Sequence, residues 1–355
     1  MVQRRKDEHL RLAQKFFKAE HRSGFDSIRF VHHSLPEMAW HNVDISTSFA
    51  NLEMAQPFFI NAMTGGSKKA GEINEKLAYA AKETDLALAA GSFGAALKDP
   101  SLLDTFTIIR KVNPHGLVFA NLGAEHTVET AQKAVDLLQA DALQIHCNTV
   151  QELIMPEGDR QFTGWLKNIE EIVAKVEVPV IVKEVGFGMS GETIQKLTDA
   201  GVRVIDVSGV GGTNFAKIEN YRRKAGDFAY LLDFGQTTAV SLLESQKFLD
   251  STEILASGGI RHPLDIVKCL ALGAKAVGLA GLFLNLIANV GVEKTIEVIN
   301  GWKDQLKSLL TLLGRATLEE LKTTDLIIQG SVKEWCLARG IPYKQFAKRS
   351  TGLKM

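Results

Sequence analysis

The sequence predicts an α/β fold, a TIM (β/α)8 barrel with an N-terminal arm and C-terminal helices, read as a single domain over residues 1–355. Three observations lead there. From residue 57 onward, runs of about 5 to 7 β-favouring residues alternate with amphipathic stretches of about two to four helical turns. Eight such runs occur, and they are almost continuously apolar, as strands buried on both faces of a parallel sheet must be. Five of them end in glycine or another small residue, which suits a rim where backbone comes close to a ligand. An open doubly wound sheet is the competing architecture, but no GxGxxG fingerprint opens a first βα unit.

Residues 1–55 read as the arm, with a basic amphipathic helix near residues 7–17 followed by an irregular stretch. The first four strands are expected over residues 58–63, 86–90, 117–122 and 142–147. The other four are expected over residues 178–184, 204–208, 253–257 and 276–280. Residues 230–249 insert a run and a helix between the sixth and seventh strands. After Gly281 an apolar helix over about residues 284–313 ends at Gly314, and a short helix follows near residues 332–339. Residues 284–355 thus form a C-terminal helical extension whose last, basic residues are expected to fray. No Pro/Gly/Ser-rich linker divides the chain.

Composition excludes several classes. Hydrophobic residues make up 45% and charged residues 23%, as in an ordinary globular protein. The formal net charge is zero, so no nucleic-acid partner is expected. Cys147, Cys269 and Cys336 are widely spaced with no CxxC, which argues against a disulfide framework or zinc site and fits a reducing compartment. Residues 1–10 are dense in charge and lack the apolar core of a signal peptide. No apolar run reaches the roughly 18 residues of a membrane span. A cytoplasmic protein is expected.

Chemistry is densest after the fourth strand. Gln144-Ile145-His146-Cys147-Asn148-Thr149-Val150-Gln151-Glu152 puts protonatable and amide side chains at a strand's carboxyl end, where barrels place their active sites. Ser257-Gly258-Gly259 and Ala280-Gly281 close the seventh and eighth strands, the usual phosphate-binding place, with glycine N–H groups and a helix N-terminus as donors. A monophosphate such as that of flavin mononucleotide (FMN) would be held there by backbone. Lys183, inside an apolar strand, must face the barrel mouth or suffer costly burial. Facing the mouth, it would offset the negative charge of a reduced flavin. Thr64, Ser92, Asn121, Ser208 and Thr213 are small hydrogen-bonding residues at other strand ends, each equally readable as a turn cap.

Several motifs, in order, resemble type 2 isopentenyl diphosphate isomerase. They are Arg5-Lys6-Asp7-Glu8-His9, Asn61-Ala62-Met63-Thr64-Gly65-Gly66 and the stretch from His146 to Glu152. Further on, Val182-Lys183-Glu184-Val185-Gly186, Gly211-Gly212-Thr213-Asn214-Phe215 and Ser257-Gly258-Gly259-Ile260-Arg261 continue the match. The resemblance implies an FMN-dependent isomerase that interconverts isopentenyl and dimethylallyl diphosphate, with the flavin reduced by NADPH and with Mg²⁺ required. It implies FMN contacts at Ala62, Met63, Thr64, Ser92, Asn121 and Lys183, and at Ser208, Thr213, Gly258, Gly259, Ala280 and Gly281. Substrate contacts would be Arg5, Lys6, His9, His146, Asn148 and Gln151, with Glu152 on Mg²⁺. A homotetramer or larger homo-oligomer is also implied.

The reaction is a 1,3-proton shift, for which the reduced flavin would act as acid and base. Gln151 is expected near the reacting carbons, His146 on the phosphate side, and Glu219 as a second acid candidate. Two departures stand out: Gly94, where many relatives have Arg or another polar residue, and Gln236, where proline is expected. The alternative function is an FMN-dependent oxidoreductase of the 2-hydroxy-acid oxidase type. That class needs a His base and an Arg carboxylate clamp, but here Gly258-Gly259 is followed by Ile260. A nucleotide dehydrogenase barrel would need a cysteine between Gly209 and Phe215, and none is there.

Overall fold

A computed structural model describes residues 2–17 and 23–351. Eight parallel strands close into a barrel. They are β1 (Phe58–Ile60), β2 (Leu88–Ala89), β3 (Val118–Gly123), β4 (Ala142–Cys147), β5 (Val180–Glu184), β6 (Val204–Asp206), β7 (Glu253–Ser257) and β8 (Ala274–Leu279). All eight lie within or overlap the expected runs.

Side-chain parity organises the interior. Near the amino ends of the strands the inward residues are apolar: Phe59, Ala87, Phe119, Ala142, Ile181, Val204, Leu255 and Ala276 form one core. Two residues further along, the same inward face turns polar, with Asn61, Asn121, Gln144, Lys183, Asp206 and Ser257 all buried. Register aligns this polar layer, since His146 pairs with Lys183 and Lys183 pairs with Asp206. The barrel is therefore a sealed apolar cup with a polar rim.

A hairpin that the sequence pattern did not reveal closes the bottom. Thr47–Phe49 pairs antiparallel with Leu52–Met54, and Phe49 and Met54 join the interior core. Its turn residues Ala50 and Asn51 have φ of 48° and 62°, the left-handed pair of a tight hairpin turn built without glycine. The Ala50 N–H donates to Glu253 Oε2 at 2.7 Å, which latches the plug to β7. The Phe49 and Phe119 rings meet edge-on, 6.1 Å apart.

The arm's helix runs over Val2–Phe16, starting five residues earlier than expected. A ribbon of Ile28–Phe30 and Leu326–Ile328 ties the arm to the C-terminal extension. The single helix expected over residues 284–313 is two, Gly281–Asn289 and Gly291–Leu312. Gly291 has φ of 84°, a left-handed conformation that interrupts the helical ladder and favours glycine. The insertion contributes a helix at Thr238–Glu244, and the last α-helix is Gly330–Arg339. Gln236 is pinned by hydrogen bonds rather than by a ring: its N–H donates to the Phe187 carbonyl and its carbonyl accepts from Val210, both at 2.9 Å. Proline could not make the first of these. The fraying expected of the last residues falls on 352–355, outside the described residues.

Candidate functional site

A cavity of about 560 Å³ opens above the polar rim on the β6–β8 side. Ala62, Met63, Lys183, Ser208 and Thr213 line it, as do Gly258, Gly259, Ala280 and Gly281. The far wall is backbone. Gly258 and Gly259 have φ of 94° and 74°, and a Cβ on Gly258 would lie 2.1 Å from the Gly209 carbonyl oxygen. A Cβ on Gly281 would lie 2.8 Å from Thr213 Oγ1. Gly281 also opens the helix Gly281–Asn289, whose first N–H groups have no partner within the helix. Closely packed glycine backbone and a helix N-terminus suit a phosphate. Lys183 Nζ is buried and donates to the Glu184 carbonyl at 2.6 Å. This combination of phosphate cradle, slot and cation fits FMN.

Thr64, Ser92 and Asn121 do not line this cavity. Thr64 is buried and its carbonyl accepts from Gly91 at 2.9 Å. Ser92 is half-buried on the loop after β2. Asn121 lies inside the barrel, donating to Gln144 Oε1 at 3.1 Å and facing His146 Nδ1 at 2.9 Å. The open face of Gly94 is filled by His126, whose Nε2 lies 3.1 Å from where a Cβ would sit.

The other expected residues converge over β4. The strand ends at Cys147, and Asn148 precedes the helix Thr149–Ile154 that carries Gln151 and Glu152. Asn148 Nδ2 donates to Glu152 Oε1 at 2.9 Å and reaches Gln151 Oε1 at 3.5 Å. Gln151 Nε2 donates to Glu219 Oε1 at 3.3 Å. Glu219 is wholly buried, and His9 Nε2 lies 2.7 Å from the same oxygen, although the ring N–H is not aimed squarely along that line. Arg5 and Lys6 come from the same helix as His9, with Arg5 3.9 Å from Glu157 and Lys6 Cγ 3.6 Å from the Cβ position of Gly66.

Electrostatics sort these groups. Burial, then the charges of Lys183, Lys6 and His126, hold His146 at a pKa of about 3, so its ring is neutral at physiological pH. Burial and then Arg5 push Lys6 down to about 8. Burial raises Glu152, opposed by the Asp159 N–H and Asn148. Burial also pushes Glu219 upward, but the contacts with His9 and Arg222 outweigh it and leave its pKa below the usual carboxylate range. Glu219 is therefore ionised and suits a base or an electrostatic partner, not the acid expected of it.

Four residues escaped the sequence reading. Arg222 reaches Glu8 at 3.2 Å, Glu157 at 2.7 Å and Glu219 at 2.5 Å, joining the N-terminal helix, the loop after β4 and the helix Phe215–Arg222. Asp206 sits sealed at the centre of the polar rim. Phe16 and Phe17 line the cavity from above. Asp206 had a usable signal, a carboxylate at an inward position of an apolar strand. Arg222 had none, because an arginine on a short helix looks like surface.

Residues 106–328 match the FMN-dependent dehydrogenase family. The chain is 50% identical to an isopentenyl-diphosphate delta-isomerase of Streptomyces sp. (strain CL190) over 351 residues, 99% of this chain and 96% of that protein. It is 49% identical to the protein of the same name from Staphylococcus epidermidis, over 96% of this chain and 97% of that protein. For that from Latilactobacillus sakei the identity is 51%, over 93% and 95%. Among solved structures, a flavocytochrome b2 with sulfite bound superposes with a TM-score of 0.66 at 22% identity, over 88% of this chain and 81% of that one. A mandelate oxidase variant superposes at 0.64 with 16% identity, over 91% of this chain and 92% of that one. At such identities these two speak to the fold alone.

Proposed function

Because the chain belongs to the FMN-dependent dehydrogenase family, and within it to the isopentenyl-diphosphate delta-isomerases, we propose that it interconverts isopentenyl and dimethylallyl diphosphate on reduced FMN with Mg²⁺. The observation that carries this reading is the meeting of a glycine-walled phosphate cradle with the buried Gln151–Glu219–His9 cluster beside it.

The shift requires protonating an unactivated alkene at one end and removing a proton two carbons away. Neither His146, which is neutral, nor Glu219, which is ionised, suits the first step. When bound in its reduced form, FMN supplies a protonatable N5 and an electron-rich ring. Lys183 would offset the charge of that ring. Gln151, its amide held by Glu219, orients the carbon chain, and the buried anion of Glu219 stabilises positive charge developing there. Arg5 and Lys6 meet the diphosphate as a fork and a point charge.

Among the described residues, no cluster of three or more His, Cys, Asp or Glu side chains could hold a metal ion. Glu152 alone fits Mg²⁺, which keeps several waters and takes its remaining oxygens from substrate phosphate. The same proposal names NADPH as reductant, a single-domain organisation, a homotetramer or larger assembly, and a cytoplasmic location. Exposed Val290, Leu312 and Leu337 on the C-terminal helices support an assembly. No helix among the described residues is long and apolar enough to cross a membrane.

The 2-hydroxy-acid oxidase alternative lacks its groups. Among the described residues no histidine lines the cavity, and Arg261 is committed at 3.0 Å to each of Asp265 and Asp26. The test is conversion of isopentenyl diphosphate by FMN-loaded protein, anaerobically reduced, with and without Mg²⁺. Turnover only with both supports the reading, and oxidation of a 2-hydroxy acid instead would replace it.

A further inference from the structure

Six polar side chains inside the barrel form one directed hydrogen-bond chain, and its direction follows from groups whose roles are invariant. The Ala62 backbone N–H can only donate, and it donates to Asn61 Oδ1 at 2.8 Å. Asn61 therefore turns Nδ2 toward the Asp206 carboxylate, 3.0 Å away. Asp206 also accepts from Ser257 Oγ at 2.8 Å and from the Ser208 N–H at 3.1 Å. With Asn61 Oδ1 an acceptor, Gln144 must present Nε2 to it, at 3.0 Å. Gln144 Oε1 then faces Asn121, which answers with Nδ2 at 3.1 Å. The Asn121 atom left over is Oδ1, 2.9 Å from His146 Nδ1, and an amide oxygen only accepts. The proton between them sits on His146 Nδ1.

Nothing in the surroundings offers a second solution. Asn61, Asn121, Gln144 and Asp206 are all buried, so any bond left unmade among them would be costly. Reversing Asn61 or Gln144 would set donor against donor at one end and acceptor against acceptor at the other, and reversing Asn121 would set its Oδ1 against Gln144 Oε1.

We propose that Asp206 is a positioning residue which, through Asn61, Gln144 and Asn121, locks His146 as the neutral Nδ1–H tautomer and leaves Nε2 as a hydrogen-bond acceptor for the substrate. This deepens the isomerase reading and rests on it for the identity of the substrate. An acceptor nitrogen there pairs with a protonated phosphate oxygen, whereas an N–H would pair with an ionised one. The diphosphate is thus held with one proton shared between Nε2 and a phosphate oxygen, and no covalent bond to the protein forms. The charged and titratable groups facing the ring are Lys183 from β5, Lys6 from the N-terminal helix and His126 from the loop after β3. Together with burial they oppose a second proton on the ring, while the Leu122 carbonyl pulls weakly the other way.

The test reads ring-nitrogen NMR shifts in FMN-loaded, full-length protein labelled with ¹⁵N-histidine. The His146 signals are assigned as those missing from His146→Asn. In wild type, Nδ1 is expected protonated and Nε2 bare. Gln144→Met cuts the chain in its middle, and Asp206→Asn turns an amide N–H toward Asn61 Nδ2 in place of a carboxylate oxygen; both are expected to bring up the Nε2–H form. A wild-type Nε2–H or imidazolium signal would overturn the proposal, as would an unchanged Nδ1–H pattern in either folded variant. If Asp206→Asn does not fold, wild type and Gln144→Met decide it. No isoprenoid enters the measurement, so failure here is separate from failure of the isomerase reading.

Discussion

Over β6 to β8 the cavity wall is mostly backbone: Gly211, Gly258, Gly259 and Gly281 leave no room for side chains, and the donors are main-chain N–H groups. Over β3 to β5 the reverse holds: Asn148 joins Gln151 and Glu152, Gln151 joins Glu219, and His9 approaches Glu219, all side chain to side chain. Backbone donors are fixed by the fold and hold a ligand that stays. Side-chain donors are oriented by one another and can change partners as a substrate comes and goes. The comparison predicts that damage on the first side shows in cofactor affinity, and damage on the second in turnover.

Gln151→Ala should have the largest effect. It removes one oriented donor beside the reacting carbons, and kcat should fall about 10²–10³-fold with FMN affinity nearly unchanged. Steady-state kinetics beside a flavin fluorescence titration check this, and a matched loss of both would move Gln151 to the cofactor side. Next is Arg222→Met, which strips the partner from a fully buried Glu219. Breaking that pair should cost about 3 kcal/mol, read by denaturant unfolding. It should also shift the acidic limb of the pH–rate profile upward as Glu219 loses the guanidinium that keeps it ionised.

On the backbone side, Gly281→Ala should weaken FMN binding about tenfold, or about 1.4 kcal/mol, because the new methyl would crowd Thr213 Oγ1 at 2.8 Å. The smallest effect concerns pH. Burial holds Lys6 near a pKa of about 8, so the lysine is charged below that pH and neutral above it. KM for the diphosphate should rise several-fold above about pH 8, and Lys6→Arg should flatten the rise because guanidinium stays charged. A rise that persists in Lys6→Arg would assign it to another group.

The eight strands and their glycine ends were legible because burial on both faces leaves a long, redundant pattern. The polar rim was half legible. Lys183 and Gln144 stand out in apolar runs, and Asp206 follows the same rule, but a two-residue parity within a strand of three residues is easily passed over. The plug hairpin was not legible, since its strands have three residues each and its turn uses Ala50-Asn51 in place of glycine. The break at Gly291 depends on one φ angle that an apolar pattern does not encode. Arg222 was hidden because its three carboxylates are far apart in sequence and only the closed fold brings them together.

The division between a backbone-built cofactor wall and a side-chain-built reaction wall is tested most directly by measuring two quantities on two variants. FMN dissociation constant and reduced-flavin kcat on isopentenyl diphosphate are determined for Gln151→Ala and Gly281→Ala at saturating FMN. The account predicts a crossed result, with kcat lost and affinity kept in the first, and affinity lost and kcat kept in the second. Parallel losses of both quantities in both variants would contradict it.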